Sequence, residues 1–444
     1  MQLYQPPTWQ TPMNHTAFGQ TDVGRKRDHN EDAILLDDDL GVYIVCDGLG
    51  GHAAGDVASQ LACATMQRVL QEQRNVLAAY ADNPDARNRN AAIQLVERAV
   101  DCACREVYAA AQADRSKRGM ATTVVLMAVL GNFAIIAHVG DSRIYLVRRN
   151  QAYQLTDDHS LLSEQVRLGL LTTKQVEAAQ GKSAITRAVG FQDSVPVETL
   201  HFELMPGDTY LLCSDGLCDY MHQGDEFREL CETTPVDELP DALVAFANQS
   251  GGRDNISAIV IRVEGEPDDR AFDAFTKMEA LKRIPLFARL TCKELMCVLN
   301  IVSLVRYDGG QQIIADGAEG DTLFVSLSGA FEVRKHGRPL TALQAGAFFG
   351  EMALIGRARR SADIIATQPA QLLIIKRETF YALLLERPVL ATKLLWAFCT
   401  VLSDRLRNVS DEITALKAAQ QGEPDESTQE LEVYIDPPTW QPDD

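Results

Sequence analysis

Four times in this chain a short apolar run stops or starts at an aspartate flanked by glycine or asparagine, and no other feature restricts the fold as much. Val42 to Cys46 ends at Asp47 and Gly48, and Phe133 to Val139 leads into Gly140 and Asp141. Thr209 to Cys213 gives way to Ser214, Asp215 and Gly216, while Asp254 and Asn255 immediately precede Ile256 to Val263. Runs of this length, bounded by turn residues, predict buried strands. A single Asp-Gly is only a turn signal. Four aspartates at strand edges, none paired with a nearby general base, point to carboxylates converging on hard cations that take oxygen ligands, Mg²⁺ or Mn²⁺. Beside the first of them, Gly48, Gly50 and Gly51 let backbone approach a ligand closely, and the Ala-rich stretch from Gly55 to Leu70 predicts a helix after His52.

The segments around these aspartates follow a familiar order. Thr21-Asp22-Val23-Gly24, Arg27 and Asn30-Glu31-Asp32 come first, then Asp47 to His52, Gly119 to Thr123, Val139 to Arg143, Ser214 to Leu217 and Gly252 to Asn255. Over roughly residues 16 to 264 the chain resembles the metal-dependent serine/threonine protein phosphatases of type 2C, in their bacterial form. The resemblance implies an α+β fold, a four-layer α-β-β-α sandwich. It implies two Mn²⁺ or Mg²⁺ ions bridged by Asp47, with the Gly48 carbonyl as an added ligand, Asp215 and Asp254 on one ion, Glu31 bound through water, and Asp141 as the place of a third. Arg27 would hold the substrate phosphate and His52 would protonate the leaving oxygen. The substrate class is then a phosphoserine or phosphothreonine protein modified by a cognate kinase. Gln180-Gly181-Lys182 stands where bacterial relatives often have His-Pro-Arg, a departure that bears on substrate choice. A different class stays open: a nucleotide-sensing adaptor on an inactive phosphatase scaffold. What separates the two is survival of the metal ligands, and all four aspartates are present.

Between these motifs, a helix is predicted from Asn88 to Ala111, and Ala121 to Arg148 reads as a hairpin turning at Gly131-Asn132. Beyond Val263 the text changes. Glu264 to Asp269 has linker composition, and Arg270 to Arg283 predicts a connecting helix. Glycines then recur at 309, 310, 317, 320, 329, 337, 346 and 350, implying the short strands of a β-roll or jelly roll. In Phe349-Gly350-Glu351-Met352-Ala353-Leu354-Ile355 a glycine opens a short helix, whose N–H groups suit an anion. Glu351 could accept from ribose hydroxyls, Arg360 neutralise a phosphate and Ser361 add a hydroxyl. Residues 284 to 415 resemble the cyclic nucleotide-binding domain family, which implies cAMP or cGMP as a regulatory ligand at Gly350, Glu351, Met352, Ala353, Arg360 and Ser361. Arg359 replaces a common Pro and Asp363 a common Thr or Ser, so a ligand-free structural β-roll stays open. Phe380 to Leu406 predicts one or two helices to flank the roll.

The expected division is therefore a disordered tail 1–15, a catalytic domain 16–264, a connection 265–283, a nucleotide-binding domain 284–415 and an acidic disordered tail 416–444. The last 24 residues hold eight acids and no Lys or Arg. Pro6-Pro7-Thr8-Trp9-Gln10 recurs as Pro437-Pro438-Thr439-Trp440-Gln441, read either as a duplicated docking motif anchored by tryptophan or as two ends covering an apolar patch. A net charge of -20 argues against nucleic acid as partner. Among ten cysteines no pair of zinc-type pairs occurs, though Cys102 with Cys104 and Cys213 with Cys218 are weak candidates. With no basic-apolar leader and no apolar run of spanning length, a cytoplasmic chain with reduced thiols is expected and no membrane partner.

Overall fold

The computed structural model describes residues 2–3, 12–49, 54–167, 184–222, 224–265, 269–356 and 359–421. His52, the Gln180-Gly181-Lys182 stretch, both Pro-Pro-Thr-Trp-Gln copies and the acidic tail from 422 lie outside them. The chain divides into two compact units, Pro7–Asp273 and Ala274–Asp444, the second also holding Met1–Pro6.

In the first unit, the apolar runs became the central strands of two five-stranded sheets in which every pairing is antiparallel. One sheet runs in the order Gln151–Gln154, Arg143–Arg148, Thr209–Cys213, Ile256–Val263, His15–Asp22. The other runs Glu198–Glu203, Phe133–Val139, Val124–Leu130, Val42–Cys46, Ala33–Asp37. Their central strands are apolar on both faces because both faces are covered. Along Val42–Cys46, Val42, Ile44 and Cys46 join a core with the helices Gly55–Glu72 and Ala86–Ala113, while Tyr43 and Val45 point the other way and are equally buried. On the partner sheet Ile256, Ala258 and Val260 pack with the helices Asp225–Thr233 and Leu239–Gln249. The sheets meet through Thr209–Cys213 and Ile256–Val263 against Val42–Cys46. Helix, sheet, sheet, helix is thus the order of layers.

The hairpin at Gly131-Asn132 is present, joining Val124–Leu130 to Phe133–Val139 with Leu130 opposite Phe133. The Ala86–Ala113 helix starts two residues before the expected Asn88 because the Asp85 side chain accepts from Asn88 N–H at 2.7 Å. One buried ion pair pins a sheet edge: Arg148 forks onto Asp208, Nε to Oδ1 at 2.8 Å and Nη2 to Oδ2 at 2.6 Å. Tyr210 hydroxyl and Met205 N–H also donate to Oδ2, at 2.8 and 3.0 Å.

In the second unit, a β-roll forms from two sheets, one of them Gln312–Ile314, Asp363–Ala366, Phe331–Lys335 and Arg338–Leu343. At its centre Phe324 stacks on Phe349 with ring centroids 5.3 Å apart, and Phe331 meets Phe349 edge-on at 5.7 Å. Helices Asp269–Lys282 and Cys292–Leu299 precede the roll, and Arg377–Glu386 and Pro388–Gln421 follow it. Two expectations need correction. Gln2–Leu3, placed in a disordered tail, pairs with Val305 and Arg306 at a sheet edge, since an edge strand recruits main chain without needing a side-chain pattern. The last helix runs to Gln421, beyond the Leu406 where the flanking helices were expected to end and into the tail expected to be disordered from 416, because Ala, Lys and Gln after 414 are good helix formers.

Candidate active site

Every aspartate singled out in the sequence sits where a strand of one of the facing sheets ends or begins, so the two-sheet arrangement brings them to one end of the sandwich. Their charges are felt mutually. Burial drives the Asp47 carboxyl well above its ordinary value, and Asp32, Asp215, Asp141 and Asp254 push it further. Burial, then Asp215 and Asp158, lift Asp141 from 3.8 to about 7. Glu31 is raised by burial against the pull of Arg27. No three of these carboxylates bring oxygens within 4.8 Å of one another among the described residues.

Close backbone approach explains two of the glycines. A Cβ on Gly48 would stand 2.5 Å from the Glu31 carbonyl and 2.3 Å from that of Gly55; on Gly216 it would meet the Asn255 carbonyl at 2.1 Å. The loops bearing Glu31, Asp47, Asp215 and Asp254 are therefore in direct main-chain contact. Asn255 locks them: its Oδ1 accepts from Glu31 N–H at 2.9 Å, and its Nδ2 donates to the carbonyls of Val23 and His29 at 3.0 and 2.9 Å. Asp47 is gripped by Thr122 and Thr123, whose Oγ1 and N–H donate to its carbonyl at 2.9 Å each. Thr123 Oγ1 also accepts from Asp47 N–H at 3.1 Å and shares a hydroxyl–hydroxyl hydrogen bond of 2.6 Å with Ser142 Oγ.

Arg27 is half-exposed and donates to Asp254 Oδ2 at 2.9 Å, with Glu31 and Asp47 also close enough to act on its charge. It lies at the carboxylate cluster.

The residue that sequence reasoning missed is Asp32. It is fully buried beneath the cluster, and its Oδ2 accepts from the hydroxyls of Ser214 and Ser257, both at 2.7 Å. Asn30 Nδ2 donates to Thr21 Oγ1 at 2.8 Å, and Thr21 in turn reaches Ser257 Oγ at 2.8 Å. A relay thus runs from Asn30 through Thr21 and Ser257 to Asp32. Burial raises Asp32 to about 7, the two serine hydroxyls oppose it, and Asp215 and Asp254 add to it. Oδ1 of both Asp32 and Asp141 is buried without a hydrogen-bond partner among the described residues. A crowd of buried carboxylates, two with an oxygen unsatisfied, fits divalent cations and fits no purely structural role.

His159 was passed over as well. It holds both polar groups of Gly140, accepting Gly140 N–H at Nδ1 (3.1 Å) and donating its own N–H to the Gly140 carbonyl (2.8 Å). With Nδ1 the acceptor, Nε2 carries the hydrogen and faces Glu198 at 3.2 Å. Arg143 forks onto neighbouring Asp158 at 2.8 and 2.7 Å. His138, His159 and Glu198 present ligand atoms within 4.8 Å, a spacing that would suit a metal. That position is taken: His138 Nε2 donates to the Asp157 carbonyl, and the Arg187 guanidinium lies 3.2 Å from His159 Nε2 and 3.5 Å from Glu198.

In the second unit Arg360 spans the glycines of the expected cassette. It donates to the carbonyls of Gly350 at 3.3 Å and Thr322 at 2.9 Å and lies 5.8 Å over the Phe324 ring. A Cβ on Gly350 would stand 2.9 Å from the Thr322 carbonyl, and Gly350 has φ +80°, so backbone conformation and main-chain approach both favour glycine here. Glu351 is buried, Met352 and Ala353 open the helix Met352–Ile355, and the Ser361 carbonyl accepts from Lys335. Arg377 braces the same helix from behind, donating to the carbonyls of Ala353, Gly320 and Gly356.

The family model described as Protein phosphatase 2C matches residues 21–246, and that described as Cyclic nucleotide-binding domain matches residues 304–387. The protein phosphatase PhpP of Streptococcus pneumoniae serotype 2 (strain D39) is 34% identical over 258 residues, 55% of this chain and 96% of the relative. The serine/threonine phosphatase stp of Listeria welshimeri serovar 6b is 35% identical over 250 residues, 56% of this chain and 95% of the relative. Among solved structures the S. agalactiae serine/threonine phosphatase aligns with TM-score 0.50 and 31% identity, covering 56% of this chain and all of that one at 100%.

Proposed function

This chain belongs to the protein phosphatase 2C family, serine/threonine phosphatases acting on phosphorylated proteins, with a C-terminal cyclic nucleotide-binding domain, and on that premise we propose a metal-dependent phosphatase under nucleotide control. The observation that carries the metal dependence is that Asp47, Asp141, Asp215 and Asp254 stand at the ends of facing strands around the buried Asp32, which accepts from Ser214 and Ser257, while Oδ1 of Asp32 and of Asp141 has no hydrogen-bond partner among the described residues. Asp47, the Gly48 carbonyl, Asp215 and Asp254 would hold two Mn²⁺ or Mg²⁺ ions, Glu31 would contribute through water, and Asp141 would serve a third. Such a pair of ions brings the pKa of a bound water from about 15.7 towards 7 and so supplies hydroxide at neutral pH. The chain's own residues do the rest. Arg27 has five N–H donors, of which one meets Asp254, leaving a fork to orient a phosphate. His52 would deliver a proton to the departing serine or threonine oxygen. Asn255, Thr123 and Asp32 fix the loops so that the carboxylates need not reorganise when charge moves.

Cyclic AMP or cyclic GMP would sit against Gly350, Glu351, Met352, Ala353, Arg360 and Ser361 and alter turnover, with the kinase that modifies the substrate as the functional counterpart. Docking through the two Pro-Pro-Thr-Trp-Gln copies belongs to the same proposal. The experiment is hydrolysis of a phosphothreonine peptide by the full chain in Mn²⁺ and in EDTA, with and without each nucleotide, beside Asp215→Asn. Turnover should require Mn²⁺, vanish in Asp215→Asn, and change by about 5- to 150-fold with nucleotide, the usual span of coupling between sites. Full turnover in EDTA sinks the metal reading, and an unchanged rate at saturating bound nucleotide sinks the control.

A further inference from the structure

Asp141 follows a glycine wedged between two side chains. Gly140 has φ +109°, and a Cβ there would stand 2.6 Å from the side chain of Thr123, the residue that also grips Asp47. On its other flank the buried His159 accepts Gly140 N–H at Nδ1 and donates its main-chain N–H to the Gly140 carbonyl. The residue after Asp141 is fixed as well, since Ser142 Oγ shares a hydrogen bond with Thr123 Oγ1. The Asp141 carboxyl therefore leaves a backbone pinned before and behind it, and its Oδ1 is buried with no hydrogen-bond partner among the described residues.

His159 is itself held from three directions. Its ring stacks on His138 with centroids 4.5 Å apart, its Nε2 faces Glu198 at 3.2 Å, and its carbonyl accepts from Thr186 N–H at 2.7 Å. Glu198 thus fixes the tautomer and orientation of a ring whose other nitrogen meets the peptide just before a carboxylate. We propose that His159 is a positioning residue for Asp141: through the Gly140 peptide it sets the direction from which the Asp141 carboxylate meets a cation. The inference rests on the reading of Asp141 as ligand of a third ion. Its effect is confined to that ion, because no hydrogen bond of His159 reaches Asp47, Asp215 or Asp254. Partners that orient a metal ligand in this way are worth about 10- to 100-fold in metal affinity.

The two ring nitrogens can be replaced one at a time. In His159→Asn the side-chain oxygen is bonded to Cγ, as Nδ1 is, so an acceptor for Gly140 N–H is kept and the Glu198 contact is lost. In His159→Gln the amide lies one bond further out, where it reaches Glu198 and leaves Gly140 N–H unmet. Calorimetric titration of the full chain with Mn²⁺ reads binding without turnover, and Asp141→Asn run beside it identifies the ion that depends on Asp141. His159→Gln should weaken that ion about 10- to 100-fold, leave the ions that persist in Asp141→Asn, and raise by the same factor the Mn²⁺ needed for half-maximal kcat on a phosphothreonine peptide. KM for the peptide should not move, since Arg27 is undisturbed, and His159→Asn should stay close to wild type in both assays. Asn and Gln variants that behave alike, or in the reverse order, overturn the proposal and leave His159 a packing residue. If Asp141→Asn binds Mn²⁺ as wild type does, the third-ion reading itself fails and carries this inference with it.

Discussion

Chelating the divalent ions should make the stability of the phosphatase unit fall as pH rises. Asp32 and Asp141 each stand at about 7 in place of 3.8, burial being the first cause and neighbouring aspartates the next. A folded carboxyl with a raised pKa binds a proton that the unfolded chain has released. Between about pH 4 and 7 the native state therefore holds more protons, and by linkage its stability is fully present below 3.8 and is lost as pH climbs through 7. At about 1.4 kcal/mol per decade, each group carries on the order of 4 kcal/mol. The two share charges with Asp215, so we expect a net loss nearer 4 than 8 kcal/mol, or about 8 to 16 °C in Tm for a unit of this size. Saturating Mn²⁺ replaces the protons as countercharge and should flatten the dependence, so that stabilisation by metal grows with pH. Calorimetric scans from pH 5 to 8.5 in EDTA and in Mn²⁺ would show it, following the transition that responds to the ion. Asp47→Asn, which removes one charge, should raise that transition in EDTA at pH 8 even though turnover is lost. A transition in EDTA that stays level or rises over this range would refute the reasoning.

Arg27→Ala should raise KM more than it lowers kcat, because a phosphate clamp binds ground and transition states alike; steady-state kinetics with an unaltered KM would leave Arg27 as no more than the partner of Asp254. Asp208→Ala should cost about 3 to 5 kcal/mol by denaturant titration, since it strands the Arg148 guanidinium, 10% exposed, without its fork of bonds. Arg360→Ala should weaken cyclic nucleotide binding about 10- to 150-fold by calorimetry, the size of a charge-assisted bond of about 1.5 to 3 kcal/mol, with Arg360→Lys recovering part of it. Wild-type protein giving no heat with either nucleotide would favour a structural β-roll.

Strands and their terminal aspartates were legible because a buried five- to eight-residue apolar run has few alternatives, and a glycine or asparagine at its edge marks where it stops. The turn at Gly131-Asn132 and the helix after Gly55 were legible for the same local reason. What the sequence could not say is which polar residue of a motif goes inside. Glu31 and Asp32 are neighbours of like charge, yet only Asp32 is sunk under the cluster, because Ser214 and Ser257, each more than 180 positions away, close over it. His159 is unremarked in the text for a similar reason: its partner Gly140 lies 19 positions away, and only the turn clamped by Arg143 on Asp158 brings the imidazole to that peptide. Gln2–Leu3 became a strand through a sheet edge three hundred residues downstream. Periodicity is a property of neighbours in sequence and survives being read there. Burial of a charge, the identity of its hydrogen-bond donors and the shift in its proton affinity are properties of neighbours in space, and only the packed sheets determine those.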